Sequence, residues 1–209
     1  MSYRTESRDW RLILGQTIGL VADVHGATRV LQRALDVCRD QGVETIALLG
    51  DLFDRPEQAD PCAVALAGWH VVGVYGNHER EFAAAASNGA LQFRDETLLL
   101  LTELRERITF DDVLLTHEVE RWGHADPIAR ILGRESNGHR EALEPRITFT
   151  GHTHFRSARD ERGPLDISRG TLVLDPARRY LINPGALSAG QFAILNRTTT
   201  TVTFRHVDW

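Results

Sequence analysis

The sequence of 209 residues contains no lysine, since all 24 of its basic residues are arginine. This absence excludes Schiff-base chemistry, a lysine general base and the lysine-containing phosphate loop of nucleotide-binding enzymes. Cysteine is scarce too, with only Cys38 and Cys62. Both fall in predicted helices, and we expect two small core residues rather than a disulfide.

Positive charge and long apolar runs are also lacking. The formal net charge is -5, which argues against a protein that binds long nucleic acids, because neutralising phosphates requires a basic face. Apolar runs such as Leu98–Thr102 are far shorter than the roughly 20 residues of a membrane helix. The charged N-terminus, Met1 to Arg11, has no signal-peptide pattern, so we expect a cytosolic protein.

What the sequence does contain is a regular alternation of strands and helices. An apolar content of 42% is enough to bury a core, and we expect one domain over residues 1–209. The first half predicts an α/β pattern, and the end of the chain predicts antiparallel strands. The predicted strands are Thr17–Ala22, Glu44–Leu49, Val71–Tyr75, Val113–Thr116, Ile147–Thr150, Thr171–Leu174, Arg179–Ile182, Gln191–Leu195 and Thr201–His206. The predicted helices are Thr28–Asp40 ending at Gly42, Pro61–Gly68, and Glu79–Arg107 with a break at Ser87–Gly89.

Polar residues of metal-ligating type follow five of these strands directly. Because ligands bind at the carboxyl ends of strands in α/β sheets, we expect these side chains to converge. At this composition a chance G-D-x-x-D-R string is expected only about 0.01 times, so caps on helices do not explain the whole set. The candidate ligands are Asp23, His25, Asp51, Asn77, His117, His152 and His154.

The chemistry of these ligands indicates the kind of metal. Carboxylates, imidazoles and one carboxamide without thiolate suit Mn²⁺, Fe, Zn²⁺ or Ni²⁺ better than Ca²⁺, and we favour manganese. The count fits two divalent ions, with Asp51 between them because its carboxylate offers two oxygens. One ion would take Asp23, His25 and His154, and the other Asn77, His117 and His152.

These motifs, in this order, resemble the signature of the calcineurin-like metallophosphoesterase superfamily. The matching strings are Asp23-Val-His25, Gly50-Asp51 to Asp54-Arg55, Gly76-Asn-His-Glu79, His117 after a strand, and Gly151-His-Thr-His154. The resemblance implies an α/β fold: a four-layer α/β/β/α sandwich with mixed sheets. It also implies a hydrolase of phosphoester bonds that acts on a small substrate.

The expected mechanism is in-line attack on phosphorus by a hydroxide that bridges two metals. By the resemblance, His78 is the acid that protonates the leaving oxygen, and positioning of the substrate is its alternative role. Asp54 would orient His78. Arg55 is predicted to bind phosphate, with a surface ion pair to Glu57 or Asp60 as the alternative.

Three functions stay open at this stage. Phosphodiester hydrolysis is the leading one, phosphomonoester hydrolysis (of a phosphoprotein or nucleotide) is the second, and a non-catalytic metal-binding scaffold is the third. The segment between His117 and Gly151 holds Trp122, which would stack on an aromatic leaving group. An ordinary loop and surface helix explain that segment equally well. The oligomeric state is not readable from the sequence.

Overall fold

The computed structural model describes residues 14–119 and 145–209, and its strands form two six-stranded sheets. The strands of the first sheet are β1 (Thr17–Val21), β2 (Thr45–Leu48), β3 (His70–Gly73), β9 (Thr171–Val173), β11 (Gln191–Asn196) and β12 (Thr201–His206). Those of the second are β4 (Arg107–Phe110), β5 (Val113–Thr116), β6 (Ile147–Phe149), β7 (Ser157–Asp160), β8 (Gly163–Pro164) and β10 (Tyr180–Asn183). The strand orders are β3-β2-β1-β11-β12-β9 and β4-β5-β6-β10-β7-β8.

Both sheets mix parallel and antiparallel pairs. In the first, β1, β2 and β3 run parallel to one another, and β1 is antiparallel to β11. In the second, β5 and β10 are both parallel to β6. The late strands therefore divide between the sheets. Strand β10 is antiparallel to β7, as predicted for the late strands, but it is parallel to β6.

Four helices accompany the first sheet: α1 (Thr28–Asp40), α2 (Pro56–Ala65), α3 (Asn77–Ser87) and α4 (Asp95–Glu103). Helix α1 has the predicted bounds because its apolar residues recur at helical spacing and are buried. It is followed by Gly42 at a φ of 66°, the left-handed conformation that glycine adopts after a helix.

The apolar residues form two cores, one on each side of the first sheet. One core lies between the sheets and includes Ile18 and Leu20 of β1 with Phe149 and Ile182 of the second sheet. The other joins the opposite face of the first sheet to the helices, and it contains both cysteines, which are fully buried and unpaired as predicted. Burial raises the pKa of the Cys38 thiol to about 12 and that of Cys62 to about 11.

The α/β class and the mixed sheets are confirmed. Three of the four expected layers lie within the described residues, where no helix packs on the outer face of the second sheet. Across residues 14–119 and 145–209, every helix is too short or too polar to cross a membrane.

Some predicted boundaries are wrong. Helix α2 begins at Pro56 rather than Pro61, because proline suits the first helical turn. Pro61 lies inside the helix. The predicted helix Glu79–Arg107 starts two residues earlier, at Asn77, and ends at Glu103, since Arg107 belongs to β4. The predicted break at Ser87–Gly89 is confirmed, because α3 ends at Ser87. Strands β7 and β8 were not predicted because they carry few apolar residues. Strand β4 alternates polar and apolar residues but was missed because the predicted helix Glu79–Arg107 extended into its start.

Candidate metal centre

The carboxyl ends of five strands from both sheets supply the predicted metal ligands. In the first sheet, β1 leads to Asp23 and His25, β2 to Asp51 and β3 to Asn77. In the second, β5 leads to His117, and β6 leads to His152 and His154. The convergence predicted for one sheet edge therefore occurs between two sheets, where their strand ends meet.

One group of potential ligands consists of Asp23, His25 and His154, each offering an atom within 4.8 Å of the others. The Nε2 atoms of His25 and His154 are 2.9 Å apart, and His154 Nε2 lies 3.7 Å from Asp23 Oδ1. Asp23 is fully buried, and its Oδ2 atom has no hydrogen-bond partner. This group is the predicted ligand set of one ion.

A second group consists of Asp51, His117 and His152, again with ligand atoms within 4.8 Å of one another. His117 Nε2 lies 3.2 Å from Asp51 Oδ2. Asn77, the remaining predicted ligand, is adjacent, since its Nδ2 lies 3.5 Å from His152 Nδ1. A further group joins Asp51 to His25 and His78, so the Asp51 carboxylate lies between the two predicted ligand sets.

The protonation of His117 shows why a cation fits the second group. Its Nδ1 lies 2.7 Å from the carbonyl oxygen of Leu49, which only accepts hydrogen bonds, so Nδ1 carries a proton. In the neutral ring, Nε2 is then a bare acceptor that faces the Asp51 carboxylate, and it is buried without a hydrogen-bond partner. Two buried acceptors that face each other need a proton or a cation between them.

The titration of these groups reflects the same pairing. Burial raises the pKa of Asp51, but the close contact and charge of His117 outweigh burial and hold the pKa at about 2. Burial lowers the pKa of His117, and the close contact and charge of Asp51 raise it above its ordinary value. Burial also raises the pKa of Asp23, against the charges of His117 and His154. These shifts favour a proton between Asp51 and His117, at the position that a metal ion would otherwise hold.

The backbone is held in an uncommon conformation at most of these positions. Positive φ angles between 49° and 69° occur at Asp23, His25, Asp51, His152 and His154. In the described residues only Asp111 and Thr200 share this conformation among non-glycine residues. Such strain persists where the surrounding structure enforces it, and it clusters at functional sites.

Two motif glycines are required by close approach. A Cβ on Gly76 would lie 2.0 Å from Asp51 Oδ1 and 2.2 Å from its backbone nitrogen. A Cβ on Gly50, whose φ is 94°, would lie 2.5 Å from His117 Nδ1. The glycines of the G-D and G-N-H strings therefore let the loops after β2 and β3 pack against the Asp51 carboxylate and the His117 ring.

Glu79, which ends the G-N-H-E string, holds two loops of the site together. Its carboxylate is fully buried and accepts hydrogen bonds from the backbone N–H groups of Asp51, Leu52, Phe53 and Gly76, at 2.5–3.3 Å. It thereby joins the loop after β2 to the start of α3. The only signal in the sequence was its position directly after Asn77-His78.

Asp54 lies between two histidines rather than against His78 alone. Its Oδ1 accepts a close hydrogen bond from His25 Nδ1, which leaves His25 Nε2 facing the first ligand group. His78 Nε2 lies 3.6 Å from the same oxygen, an ion-pair contact. A carboxylate on the outer nitrogen of a metal-binding histidine fixes the ring's tautomer and orientation.

Arg55 is directed away from this carboxylate. Its Nε lies 3.4 Å from Glu57 Oε1, and 67% of its side chain is exposed. This is the surface ion pair that the sequence left open beside the predicted phosphate contact. His70 and His206, expected to have no chemical role, begin β3 and end β12.

Asn183 supports the loop that carries His152 and His154. Its buried side-chain amide donates hydrogen bonds to the Gly151 carbonyl at 2.7 Å and to Thr153 Oγ1 at 3.0 Å. The end of β10 thereby supports the loop after β6. Trp122 and the rest of residues 120–144 lie outside the described residues, so their predicted part in selectivity stays a prediction.

Comparison with known proteins agrees with this geometry. Residues 17–205 match the family model of the calcineurin-like phosphoesterase superfamily domain. A metallophosphoesterase from Sphaerobacter thermophilus has 25% sequence identity and a TM-score of 0.67, over 92% of this chain and 88% of that one. An archaeal phosphodiesterase shares the fold, with a TM-score of 0.56 at 18% identity over 91% of this chain and 99% of that one.

A further relative is an uncharacterized protein of Methanocaldococcus jannaschii, 22% identical over 81% of this chain and 75% of that protein. The family model spans both sheets and every candidate ligand from Asp23 to His154. The chain therefore belongs to the calcineurin-like phosphoesterase superfamily, a family of metal-dependent hydrolases of phosphoester bonds.

Proposed function

We propose that this chain hydrolyses phosphodiesters at a centre of two divalent metal ions. The observation that carries the proposal is the pair of ligand groups on either side of Asp51, each with a buried polar atom that lacks a hydrogen-bond partner. Asp23, His25 and His154 would hold one ion, and Asn77, His117 and His152 the other. Asp51 would contact both, since one carboxylate can bind two cations.

When bound, such ions supply Lewis acidity that lowers the pKa of water toward 7 and neutralises phosphate charge. The mixed oxygen and nitrogen donors suit manganese first, with iron, zinc and nickel as alternatives. The natural substrate would be a small phosphoester. The cytosolic location and the single domain over residues 1–209 stay predictions of the sequence.

The other residues of the site bind, orient and move protons. His78 donates a proton to the leaving oxygen, for which it is placed beside Asp54 with a side chain that is 40% exposed. Asp54 orients His25 by a hydrogen bond and lies 3.6 Å from His78 Nε2, where it positions the His78 ring. Glu79 and Asn183 fix the loops that present the ligands.

Diesters are favoured over monoesters by the position of Arg55. A monoester dianion carries one more negative charge than a diester and gains most from an extra cation at the phosphate. Arg55, predicted for that role, instead pairs with Glu57 in solvent. The scaffold alternative is disfavoured because the ligand groups and His78 lie together.

The proposal is tested by stripping the protein of metal, restoring Mn²⁺, and measuring hydrolysis of bis-p-nitrophenyl phosphate beside p-nitrophenyl phosphate. We expect metal-restored turnover that is greater for the diester. His117→Asn should abolish it, whereas His206→Asn, at an exposed strand end outside the site, should behave as wild type. A preference for the monoester would overturn the diester assignment, and silence on both substrates with ions bound would support the scaffold.

A further inference from the structure

A cleft of about 300 Å³ opens beside the second ligand group. Asn77 and His117 form part of its wall, whereas His25, Asp54 and His78 are not among its described lining residues. The described wall of the cleft therefore includes residues of the second ligand site and not the proposed acid. If His78 faces the leaving oxygen, the cleft would hold the other alcohol of the diester, which remains bonded to phosphorus in the product.

The charges that line the cleft cancel. Arg80 and Arg107 contribute two positive charges, and Glu106 and Glu118 two negative ones. Glu118 lies near the ligand group, with Oε1 3.7 Å from His152 Nε2. A second phosphate in the cleft would thus face carboxylates as well as guanidinium groups.

Arg80, the arginine closest in sequence to Asn77, is already paired with the carboxylate of Glu106. Arg80 follows Asn77 by three residues on α3, so the two lie on the same side of that helix. Its Nη1 and Nη2 donate to the two carboxylate oxygens of Glu106, just before β4, at 2.6 and 2.7 Å. Bidentate pairing of this kind fixes the guanidinium plane and places the negative charge of Glu106 beside Arg80, where it opposes the binding of a phosphate.

The remaining wall suits an uncharged alcohol. The hydroxyl of Tyr75 donates to the Leu101 carbonyl at 2.9 Å, so this hydroxyl is engaged with the protein and the residue lines the cleft mainly as an aromatic surface. The carboxylates of Glu106 and Glu118 each offer several acceptor positions, more than the contacts described use, for ligand hydroxyl groups. One aromatic ring beside these acceptors in a polar cleft suits a sugar-like ring with free hydroxyls.

Building on the proposed diesterase activity, we propose that this cleft binds the retained alcohol of the diester, as an uncharged, hydroxyl-bearing group. The Arg80–Glu106 pair makes the cleft select against a second phosphate on that alcohol. A binding site can gain specificity by repelling the wrong ligand as well as by contacting the right one, and here the Glu106 carboxylate would repel a second phosphate.

The test uses three esters that release the same nitrophenolate and differ in the retained alcohol. They are methyl p-nitrophenyl phosphate, thymidine 5′-(p-nitrophenyl phosphate), and the thymidine ester carrying a 3′-phosphate. For the wild type we expect kcat/KM to rise about tenfold from the methyl to the thymidine ester, as one or two hydrogen bonds and a ring contact are gained. The 3′-phosphate should give no further gain.

Glu106→Gln leaves the shape of the pair and removes its negative charge. We expect the ratio of kcat/KM for the phosphorylated over the plain thymidine ester to rise about fivefold, because Arg80 is then free to pair with the added phosphate at a partly exposed site. Adding Arg80→Met to this variant should return the ratio to that of the wild type. Asp36→Asn is the matched control, since it breaks an exposed pair with Arg39 on α1 and should leave the ratio unchanged.

The ratio of kcat/KM for the phosphorylated over the plain thymidine ester is the deciding quantity. If it is the same in Glu106→Gln, Asp36→Asn and the wild type, the selectivity assigned to the Arg80–Glu106 pair is wrong. Equal kcat/KM for the methyl and thymidine esters would overturn the cleft as the alcohol site. Both results require turnover of the methyl ester, so they differ from failure of the proposed diesterase activity, in which all three esters would be inert.

Discussion

At the residue scale, His78 differs from the other histidines of the centre. His25, His117, His152 and His154 all belong to the two ligand groups that match the predicted ions, whereas His78 lies beside Asp54 at 3.6 Å. It also lies within the group formed with His25 and Asp51, so a ligand role and an acid role make different predictions.

We expect His78→Asn to keep the full metal content and to lose about 10²–10⁴-fold in turnover of an alkyl phosphodiester, the range for general acid catalysis. The loss should be smaller for bis-p-nitrophenyl phosphate, because nitrophenolate leaves without a proton. Metal analysis and turnover of both esters check this. A variant that sheds metal would identify His78 as a ligand, and equal losses on the two esters would assign it to substrate positioning.

At the element scale, the loop after β6 depends on a neighbouring strand. Asn183, at the end of β10, donates hydrogen bonds to the carbonyl of Gly151 and the hydroxyl of Thr153, the two residues that flank His152. The N–H of His152 in turn donates to Asp23 Oδ1 at 3.0 Å, which connects this loop to the first sheet.

We expect Asn183→Ala to lower the free energy of unfolding by about 1–3 kcal/mol, because buried polar groups are left unpaired. It should also weaken Mn²⁺ binding, since His152 and His154 lose their support. Denaturant unfolding and metal titration measure the two effects. The control is Asn196→Ala, which removes a turn hydrogen bond to Thr199 far from the ligands and should leave metal affinity unchanged. Unaltered metal binding in Asn183→Ala would mean that the loop holds its shape without β10.

Sequence patterns identified candidate ligands that the structure brings together, because strand ends and turn motifs are local. Apolar runs that stop at Asp23, Asp51 and His117 are visible without any knowledge of pairing. Which sheet each strand joins depends on contacts between distant residues, so the division of the ligands between two sheets was not predictable. The same holds for Glu79, whose hydrogen bonds connect residues up to 28 positions apart.

The hydrogen-bond partner of Asp54 is a second example of a contact between distant residues that the sequence did not predict. On the sequence alone we pair Asp54 with His78, because a carboxylate would orient the histidine that the resemblance makes the acid. In the structure its hydrogen bond goes to His25, 29 residues away, and only a longer contact reaches His78. Arg55 likewise takes the local partner Glu57, a choice that the order of residues left undecided.

At the scale of the whole molecule, the centre lies where two mixed sheets meet. The first sheet contributes Asp23, His25, Asp51 and Asn77, and the second contributes His117, His152 and His154. A bound ion would therefore join the two sheets and stabilise the folded state by mass action. The central claim is that this junction holds two ions that share Asp51.

That claim is tested most directly by counting metal. Metal-free protein is equilibrated with Mn²⁺, separated from free ion, and analysed by inductively coupled plasma mass spectrometry against protein concentration. We predict two manganese ions per chain for the wild type. A count of one or none, at Mn²⁺ concentrations that restore full activity, would contradict a dinuclear centre.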